Sequence, residues 1–542
     1  MKQIFIVILL TLGGFSAQGQ IRTFTHQDSL RGSITPERAW WDLIAYRLKV
    51  KPDIQKKSIS GSNWVVFKTI EDAGKMQIDL QQPMAITKVT HQDRDLKYQR
   101  EGNVYYINFE TLPTKGQLDS IYIEFQGNPK ISNRPPWDGG LTWSKDELGN
   151  DFVATSVQGD GASLWWPCKD HMYDEVEQMD IILEVAKPLV GVANGRLVKT
   201  EDQDNSRVFH WHVSNPINNY GVNMNIGNYT NFKEEYSGEN GILDLDYYVL
   251  ENHLALAQKQ FNQVPMMLEA FEYWFGPYPF YRDSFKLVEV PYLGMEHQSS
   301  VTYGNGFKNG YLGSDLSGTG WGLKFDFIII HEAGHEWFAN NITNIDIADM
   351  WIHESFTAYS ESLYLEYFYG KQAGQEYVIG TRRNIQNDRP IIGFYNVNHS
   401  GSGDMYYKGS NMINTIRTWL NNDEQWREIL RGLNKDFYHQ TVDTETIEHY
   451  IIDQTGLPLQ GLFDQYLRTT EIPQLDIKIK DHKIHYRYCE VLKNFNLPLR
   501  ININGKEIEI QPNQKWQTLK LDAPIESLEI DPNYYILINK TS

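Results

Sequence analysis

The sequence has 542 residues, a formal net charge of −19 and 13% aromatic residues, among them 15 Trp and 32 Tyr. A chain of this length suggests about three or four domains. Its acidic charge argues against nucleic acid or another polyanion as a partner, and its high aromatic content excludes an intrinsically disordered chain.

The N-terminus has the features of a targeting segment. Lys2 precedes an apolar run from Ile4 to Phe15, and Ala17-Gln18-Gly19 forms a small-x-small cleavage site. We predict a signal peptide over residues 1–19 and export of the mature chain, which would be periplasmic or secreted. The apolar run is too short to span a bilayer, and no later stretch is long enough, so no membrane span is expected. A disulfide between Cys168 and Cys489 is open in that compartment, although two buried free thiols are favoured.

Short runs at strand period dominate residues 20–248. Clear examples are Trp64–Ile70, Val104–Phe109 and Ile121–Phe125, where apolar side chains alternate between turn residues. These predict a large, mainly antiparallel β domain. The Pro/Gly loop Arg134–Gly140 and the aromatic turn Leu164–Asp170 are interpreted as structural.

The apolar period becomes helical near Glu251. His253–Trp274 predicts a helix, Phe285–Val290 a strand, and several further helices follow to about Arg468. We assign residues 249–472 to one mainly helical domain.

Alternating strands return after Pro473. Asn504-Gly505 between two apolar runs is a strong hairpin pattern, and Tyr534–Ile538 is expected to be the last strand. Residues 473–542 are predicted to form a small β-sandwich. The predicted fold class is therefore α+β and multidomain.

The central motif is His331-Glu332-Ala-Gly-His335, followed after eighteen residues by Glu354. Residues four apart share one face of a helix, so His331 and His335 can present two imidazoles to one zinc ion. Glu354 on a second helix, Trp351–Tyr369, would supply the carboxylate, and a water would complete the site.

Glu332 is not a ligand in this arrangement, but it flanks the metal and can accept a proton from the bound water. The alternative is two surface histidines on an ordinary helix. The apolar run Phe325–Ile330 argues against it, because a buried helix carries such polar groups at a cost unless they have a partner.

With these motifs in hand, the chain resembles the aminopeptidase N family of gluzincin metallopeptidases, which includes leukotriene hydrolase. The zinc motif has the family's spacing. Five other segments match family motifs: Phe275–Phe280, Trp337–Thr343, Leu293–His297 as the exopeptidase motif G-x-M-E-N, Thr155–Gln158 before Pro167–Asp170 as the T-Q-x-(E/Q) segment, and Tyr406–Gly409 as the Y-x-K-G segment. The resemblance implies a saddle-like N-terminal β domain, a thermolysin-like catalytic domain and a β-sandwich.

The resemblance also implies roles for individual residues. In the family, Tyr406 would stabilise the oxyanion together with zinc, and Glu296 and Gln158 would bind the substrate's N-terminal ammonium group. The other substrate-binding positions would be Gly294 and Met295. Glu361, two turns after Glu354, is either a hydrogen-bond partner of a zinc histidine or a solvated helix carboxylate.

The expected function is a zinc-dependent aminopeptidase with one zinc per chain and peptides as substrates. Three departures stand out: Leu293 and His297 replace Gly and Asn of the exopeptidase motif, and His353 replaces the Asn before the third ligand. The alternatives are a zinc endopeptidase, an inactive peptide-binding homologue and an epoxide hydrolase.

The sequence leaves the oligomeric state open. The large C-terminal helical domain of many relatives does not follow the sandwich in this sequence. We therefore expect a cleft that is open on one side; the alternative is that a second subunit or another protein covers it.

Overall fold

The computed structural model describes residues 23–72 and 74–540. The predicted signal peptide lies outside the described residues. In the part of the chain that is described, no helix is both long and apolar enough to cross a membrane.

The N-terminal region is built from three sheets. Two short helices precede them, α1 (His26–Gly32) and α2 (Pro36–Ala39). The strands are β1 (Trp41–Asp53), β2 (Ser58–Thr69), β3 (Met76–Asp79), β4 (Ala85–His91), β5 (Arg94–Asp95), β6 (Lys97–Glu101), β7 (Val104–Asn108), β8 (Leu118–Gly127), β9 (Gly140–Lys145), β10 (Asp151–Ser156), β11 (Gln178–Ala186), β12 (Val190–Val192), β13 (Arg196–Asp202), β14 (Ser206–Val213) and β15 (Asn225–Gly227).

An eight-stranded sheet in the order β13-β14-β11-β1-β2-β8-β4-β5 forms the main layer of this region. A four-stranded sheet (β12-β15-β10-β9) and a three-stranded sheet (β3-β7-β6) complete it. Pairing is antiparallel except between β1 and β11, in agreement with the mainly antiparallel domain that the alternating runs predict. Their apolar faces meet in one core that includes Trp41, Trp165, Trp166 and Trp211.

The middle region combines helices with a mixed sheet in the order β16-β17-β18-β20-β19. The strands of the middle region are β16 (Tyr229–Gly238), β17 (Gly241–Leu250), β18 (Phe285–Glu289), β19 (Gly294–Met295), β20 (Val301–Tyr303), β21 (Ile342–Asn344) and β22 (Gln440–Val442). Its helices are α3 (Leu254–Gln260), α4 (Gln263–Phe275), α5 (Phe327–Gly334), α6 (Trp351–Tyr369), α7 (Lys371–Thr381), α8 (Tyr407–Leu420), α9 (Asp423–Asp436), α10 (Thr444–Thr455) and α11 (Gln460–Arg468).

The last region has a four-stranded sheet (β27-β24-β23-β29) and a three-stranded sheet (β26-β25-β28). Its strands are β23 (Gln474–Lys480), β24 (Lys483–Cys489), β25 (Leu499–Ile503), β26 (Lys506–Ile510), β27 (Gln517–Lys520), β28 (Leu528–Ile530) and β29 (Leu537–Lys540). Asn504 and Gly505 both adopt positive φ in the β25–β26 hairpin, as the Asn-Gly pattern predicts.

Several element predictions need correction. The segment His253–Trp274 is two helices, α3 and α4, because the chain turns at Phe261 and Asn262 between them. The last strand is Leu537–Lys540 and not Tyr534–Ile538, since Tyr534 and Tyr535 are buried against the helices. Both cysteines are free thiols, but only Cys168 is buried.

The hairpin of β16 and β17 joins the two larger regions. It pairs in parallel with β18 of the middle region, and Leu243, Leu245 and Tyr247 belong to the core shared with the helices. The expected boundary between residues 248 and 249 thus falls inside β17, and the domain limits stay predictions.

Candidate active site

Helix α5 carries the zinc motif through the core. Asp326 caps its N-terminus by accepting hydrogen bonds from the backbone N–H groups of Ile328 (3.1 Å) and Ile329 (3.4 Å). Ile328, Ile329 and Ile330 are all buried, so the helix is enclosed by protein on most of its circumference. His331, Glu332 and His335, which follow on the same chain, are buried as well.

Helix α6 packs closely against α5 and brings in Glu354. Gly334 permits this approach, because a Cβ atom there would lie 2.7 Å from Ser360 Oγ and 3.1 Å from Thr357 Cγ2. Both distances are shorter than ordinary contacts, so any larger residue would push the helices apart. Gly334 within the motif therefore sets the distance between the histidines and the carboxylate of Glu354.

The three predicted ligands converge on one point. Glu354 Oε2 lies 3.3 Å from His335 Nε2 and 3.7 Å from His331 Nε2. Ligand atoms about 2.05 Å from a tetrahedral zinc ion are separated by about 3.3 Å, so this spacing suits zinc. The three donors form one of two His/Glu groups in the described residues that could hold a metal ion.

The outer nitrogens of both histidines are held by protein groups. His331 Nδ1 lies 2.7 Å from Glu361 Oε1, and His335 Nδ1 lies 3.0 Å from the backbone oxygen of Phe338. The Nδ1 atoms donate in these contacts, so both histidines present their Nε2 atoms to Glu354. Glu361 is fully buried and also accepts a hydrogen bond from Tyr377, so it is not a solvated carboxylate.

Charge and hydrogen bonding at this point both fit a bound cation. Glu354 Oε2 is buried and has no hydrogen-bond partner among the described residues. Burial raises the pKa of the Glu332 carboxyl to about 7, although His331 opposes the shift. Burial also disfavours a charged Glu354, but the two histidines outweigh this and lower its pKa below the usual range. A divalent ion would neutralise these buried carboxylates, so the residues present fit zinc.

The predicted amine anchors are in contact with each other. Gln158 Nε2 donates to Glu296 Oε1 (2.6 Å) and more weakly to Glu354 Oε1 (3.3 Å). The Tyr220 hydroxyl donates to the same Glu296 oxygen at 3.1 Å. Burial raises the pKa of Glu296. Glu296, Glu332 and His335 form the second His/Glu group, with donor atoms within 4.8 Å of one another, so the anchor lies beside the metal position.

Gly294 and Met295 form β19, an edge strand beside α5. A Cβ atom on Gly294 would lie 2.6 Å from Ile328 Cγ2 and 3.3 Å from Glu332 Cγ. The strand pairs with β20 on one side, and its other side is the edge of the sheet among the described residues. Such an edge can add an extended peptide by backbone hydrogen bonds.

Tyr406 precedes α8 and stacks on the predicted metal ligand His331, with ring centroids 5.9 Å apart. Burial and the nearby Glu354 raise its pKa well above the usual value, so the hydroxyl stays protonated. Tyr407 lies on the same wall, with its ring 6.3 Å from that of Tyr406. The described cleft, of about 330 Å³, is lined by both tyrosines and by the metal and anchor residues.

The two histidines that stand where the family motifs have Asn contact other groups of the chain. His353 Nε2 accepts a hydrogen bond from the backbone N–H of Asn344 at 2.8 Å. His297 Nδ1 lies 3.3 Å from Thr302 Oγ1. Burial lowers the pKa of both histidines to about 3, so both are neutral. Leu293 directly precedes β19 and lines the cleft.

Sequence reasoning missed Pro136 and Trp137, which line this cleft, and Tyr220, which does not line it but contacts Glu296. The loop Arg134–Gly140 is not merely structural, because Pro136 and Trp137 line the cleft and Trp137 is 67% exposed. Tyr220 is buried against Glu296 and has no motif around it. The one available clue was that a Trp inside a Pro/Gly loop has little apolar surface nearby to cover it.

Comparison with known proteins identifies the middle region. Residues 259–466 match the model of the Peptidase family M1 domain. The chain is 18% identical over 402 residues to a leucyl aminopeptidase of Saccharolobus solfataricus, which covers 70% of this chain and 50% of that protein. It is 22% identical over 412 residues to endoplasmic reticulum aminopeptidase 1 of Mus musculus, covering 73% of this chain and 43% of the relative. This chain therefore spans about half the length of these relatives.

Solved structures of similar fold cover more of the chain. The M1 zinc metallopeptidase from Deinococcus radiodurans has a TM-score of 0.68 and 17% identity, covering 80% of this chain and 95% of that chain. A mutant of it bound to a Tyr-Ser-Ala substrate has a TM-score of 0.69 and 17% identity, covering 80% of this chain and 96% of that one. The predicted fold class and the resemblance to the aminopeptidase N family are confirmed.

Proposed function

Because residues 259–466 carry a Peptidase family M1 domain, we propose that this chain is a zinc-dependent aminopeptidase that hydrolyses the N-terminal bond of peptides. The observation that carries the proposal is that the predicted metal ligands, the proposed base and the proposed amine anchor lie together in one cleft. Carboxylates of the proposed base Glu332 and anchor Glu296 lie within 4.8 Å of a donor atom of His335. An ammonium group held at Glu296 would therefore place the first peptide bond, and no later one, beside the metal ligands.

In this proposal His331, His335 and Glu354 hold one zinc ion, with Glu361 and the Phe338 carbonyl fixing the histidine rings. When bound, zinc supplies a Lewis acid that polarises the scissile carbonyl and makes water acidic enough to react near neutral pH.

The proton transfers fall to Glu332. Its carboxylate accepts a proton from the attacking water and then passes it to the amine that leaves. The protonated Tyr406 hydroxyl donates a hydrogen bond to the carbonyl oxygen as negative charge develops on it.

Glu296, Gln158 and Tyr220 recognise the substrate. Glu296 pairs with the ammonium group, and the Gln158 amide oxygen accepts a second hydrogen bond from it. Tyr220 holds the Glu296 carboxylate by donating to Oε1. The free side of β19 at Gly294 and Met295 would bind the peptide backbone.

The alternative functions fit fewer of these contacts. A zinc endopeptidase has no use for a buried carboxylate with two donors at the end of the cleft. An inactive peptide-binding homologue has no use for Glu332 or for histidines whose Nε2 atoms face a carboxylate. The N-terminal sequence, with Lys2 and the apolar run Ile4–Phe15, supports the further proposal that the protein is exported.

The first experiment measures metal content and hydrolysis together. The purified protein should contain about one zinc per chain and hydrolyse amino acid amides and free-amine peptides, with activity lost to a chelator and restored by zinc. His335→Ala should lose both zinc and activity, whereas His449→Ala, on the exposed face of α10, should lose neither. Zinc content unchanged in His335→Ala would refute the ligand assignment, and chelator-resistant hydrolysis would refute the zinc chemistry.

A further inference from the structure

The feature that the proposed function leaves unused is Trp137. It is 67% exposed, whereas seven other Trp residues have almost no exposed surface. With Pro136 it lines the same cleft as Glu332 and Glu354. An indole this exposed gains little from packing within the chain, so its position in a substrate cleft needs another explanation.

The loop that carries Trp137 is held in place by many contacts. The Asp138 carboxylate accepts hydrogen bonds from the backbone N–H groups of Asn133 (2.7 Å) and Arg134 (3.0 Å). The backbone N–H of Trp137 donates to the backbone oxygen of Arg134 (2.9 Å). The Lys130 ammonium group binds both the Asp138 carbonyl and the Asp160 carboxylate. Trp137 is thus presented on a rigid turn, so little conformational entropy is lost when a ligand packs on it.

The register of the β9–β10 hairpin places Trp137 beside the amine anchor. Gly140 at the start of β9 is paired with Ser156 at the end of β10. Trp137 lies three positions before Gly140, and Gln158 lies two positions after Ser156. Both side chains therefore project from the same end of the hairpin. Gly139 strengthens this closeness, because a Cβ atom there would lie 2.6 Å from Asp160 Oδ2 on the Gln158 loop.

We infer that Trp137 determines substrate specificity by packing on the side chain of the peptide's first residue. This inference rests on the proposed function, because Gln158 and Glu296 must hold the ammonium group for the first side chain to reach the indole. Met295 and Phe327 add apolar surface to the same cleft. The preferred first residues are therefore large and apolar, such as Phe or Leu, and Ala gains least from the contact.

The test compares three tripeptides, Ala-Ala-Ala, Phe-Ala-Ala and Ala-Phe-Ala, of which the last two are isomers. Trp137→Ala should lower kcat/KM for Phe-Ala-Ala about tenfold and change the other two by no more than about twofold. Trp137→Phe should keep most of the preference. Trp64→Ala is the matched control, since Trp64 is 43% exposed on β2 and does not line the cleft.

A binding measurement separates this inference from the proposed function. In a Glu332→Gln background, calorimetric titration should show that Trp137→Ala weakens binding of Phe-Ala-Ala about tenfold and of Ala-Ala-Ala much less. If Trp137→Ala still hydrolyses the peptides but loses kcat/KM equally for all three, or only for Ala-Phe-Ala, the inference is overturned and the proposed function stays intact. Selective binding through Trp137 without any hydrolysis by the Glu332-containing protein would overturn the function instead. Absence of both binding and hydrolysis would contradict both.

Discussion

The two walls of the cleft are built in different ways. The helical wall consists of His331, Glu332, His335 and Glu354, supported by the fully buried Glu361, whose contact with His331 joins residues 30 positions apart. The sheet wall consists of Trp137 and Gln158 from the N-terminal region, supported by the buried Tyr220, and the contact of Gln158 with Glu296 spans 138 positions. In the proposed function, the helical wall supplies the groups for the chemistry, and the sheet wall supplies groups that bind the substrate. Changes in the first should affect all substrates, and changes in the second should affect some more than others.

The largest effect is expected at Glu332. Glu332→Gln should retain zinc and lose hydrolysis by about 10²–10⁴-fold on every substrate, because an amide cannot accept the proton of the attacking water. Metal analysis tests whether zinc is retained, and initial rates on Phe-Ala-Ala test whether hydrolysis is lost. A variant that keeps more than a tenth of the rate would show that another group is the base.

A smaller effect on all substrates is expected at Tyr406. Tyr406→Phe should lower kcat by about 10²–10³-fold and leave KM nearly unchanged, because its hydrogen bond strengthens only as the oxyanion forms. Tyr407→Phe is the neighbouring control and should retain most activity. If the two variants exchange these behaviours, Tyr407 is the oxyanion donor.

Glu361 is expected to act on the metal and not on the substrate. Glu361→Gln should weaken zinc affinity about 10–100-fold, because the carboxylate fixes the ring of His331 and raises its basicity. Competition with a chelator measures this directly, and Glu424→Gln on the exposed face of α9 is the control. Unchanged zinc affinity would mean that Glu361 contributes to packing alone.

The smallest effect is expected at Tyr220, which supports the sheet wall. Tyr220→Phe should raise KM for free-amine tripeptides about threefold to tenfold with kcat nearly unchanged, because Glu296 loses one of its hydrogen bonds. Acetylated peptides should be unaffected. An equal change in kcat for free and acetylated substrates would show that Tyr220 supports the structure of the cleft and does not act on amine binding.

The same contrast explains what the sequence could predict. The zinc motif and Glu354 lie on two helices with strong periodic patterns, and α6 spans the predicted Trp351–Tyr369. The alternating runs at residues 64–70, 104–109 and 121–125 all fall on strands, although β2 begins six residues before the first run.

The sheet wall could not be derived in this way. Gln158 and Glu296 were assigned through family motifs, and neither spacing nor periodicity places them in contact. Tyr220 and Trp137 were not assigned any role, because which loops meet across two regions depends on sheet order and register. The parallel pairing of β1 with β11, which brings residues 45 and 178 together, is an example of a contact that no local pattern encodes.

The central claim is that a free N-terminal amine is recognised by Glu296 beside the metal. The measurement that tests it most directly is the ratio of kcat/KM for Phe-Ala-Ala to that for its N-acetylated form, in the zinc-loaded protein and in Glu296→Ala. The account predicts a ratio of about 100 or more in the wild-type protein and a ratio below about 10 in the variant, mainly through loss of the free-amine rate. Equal rates on the free and acetylated peptides in the wild-type protein would contradict it and indicate an endopeptidase.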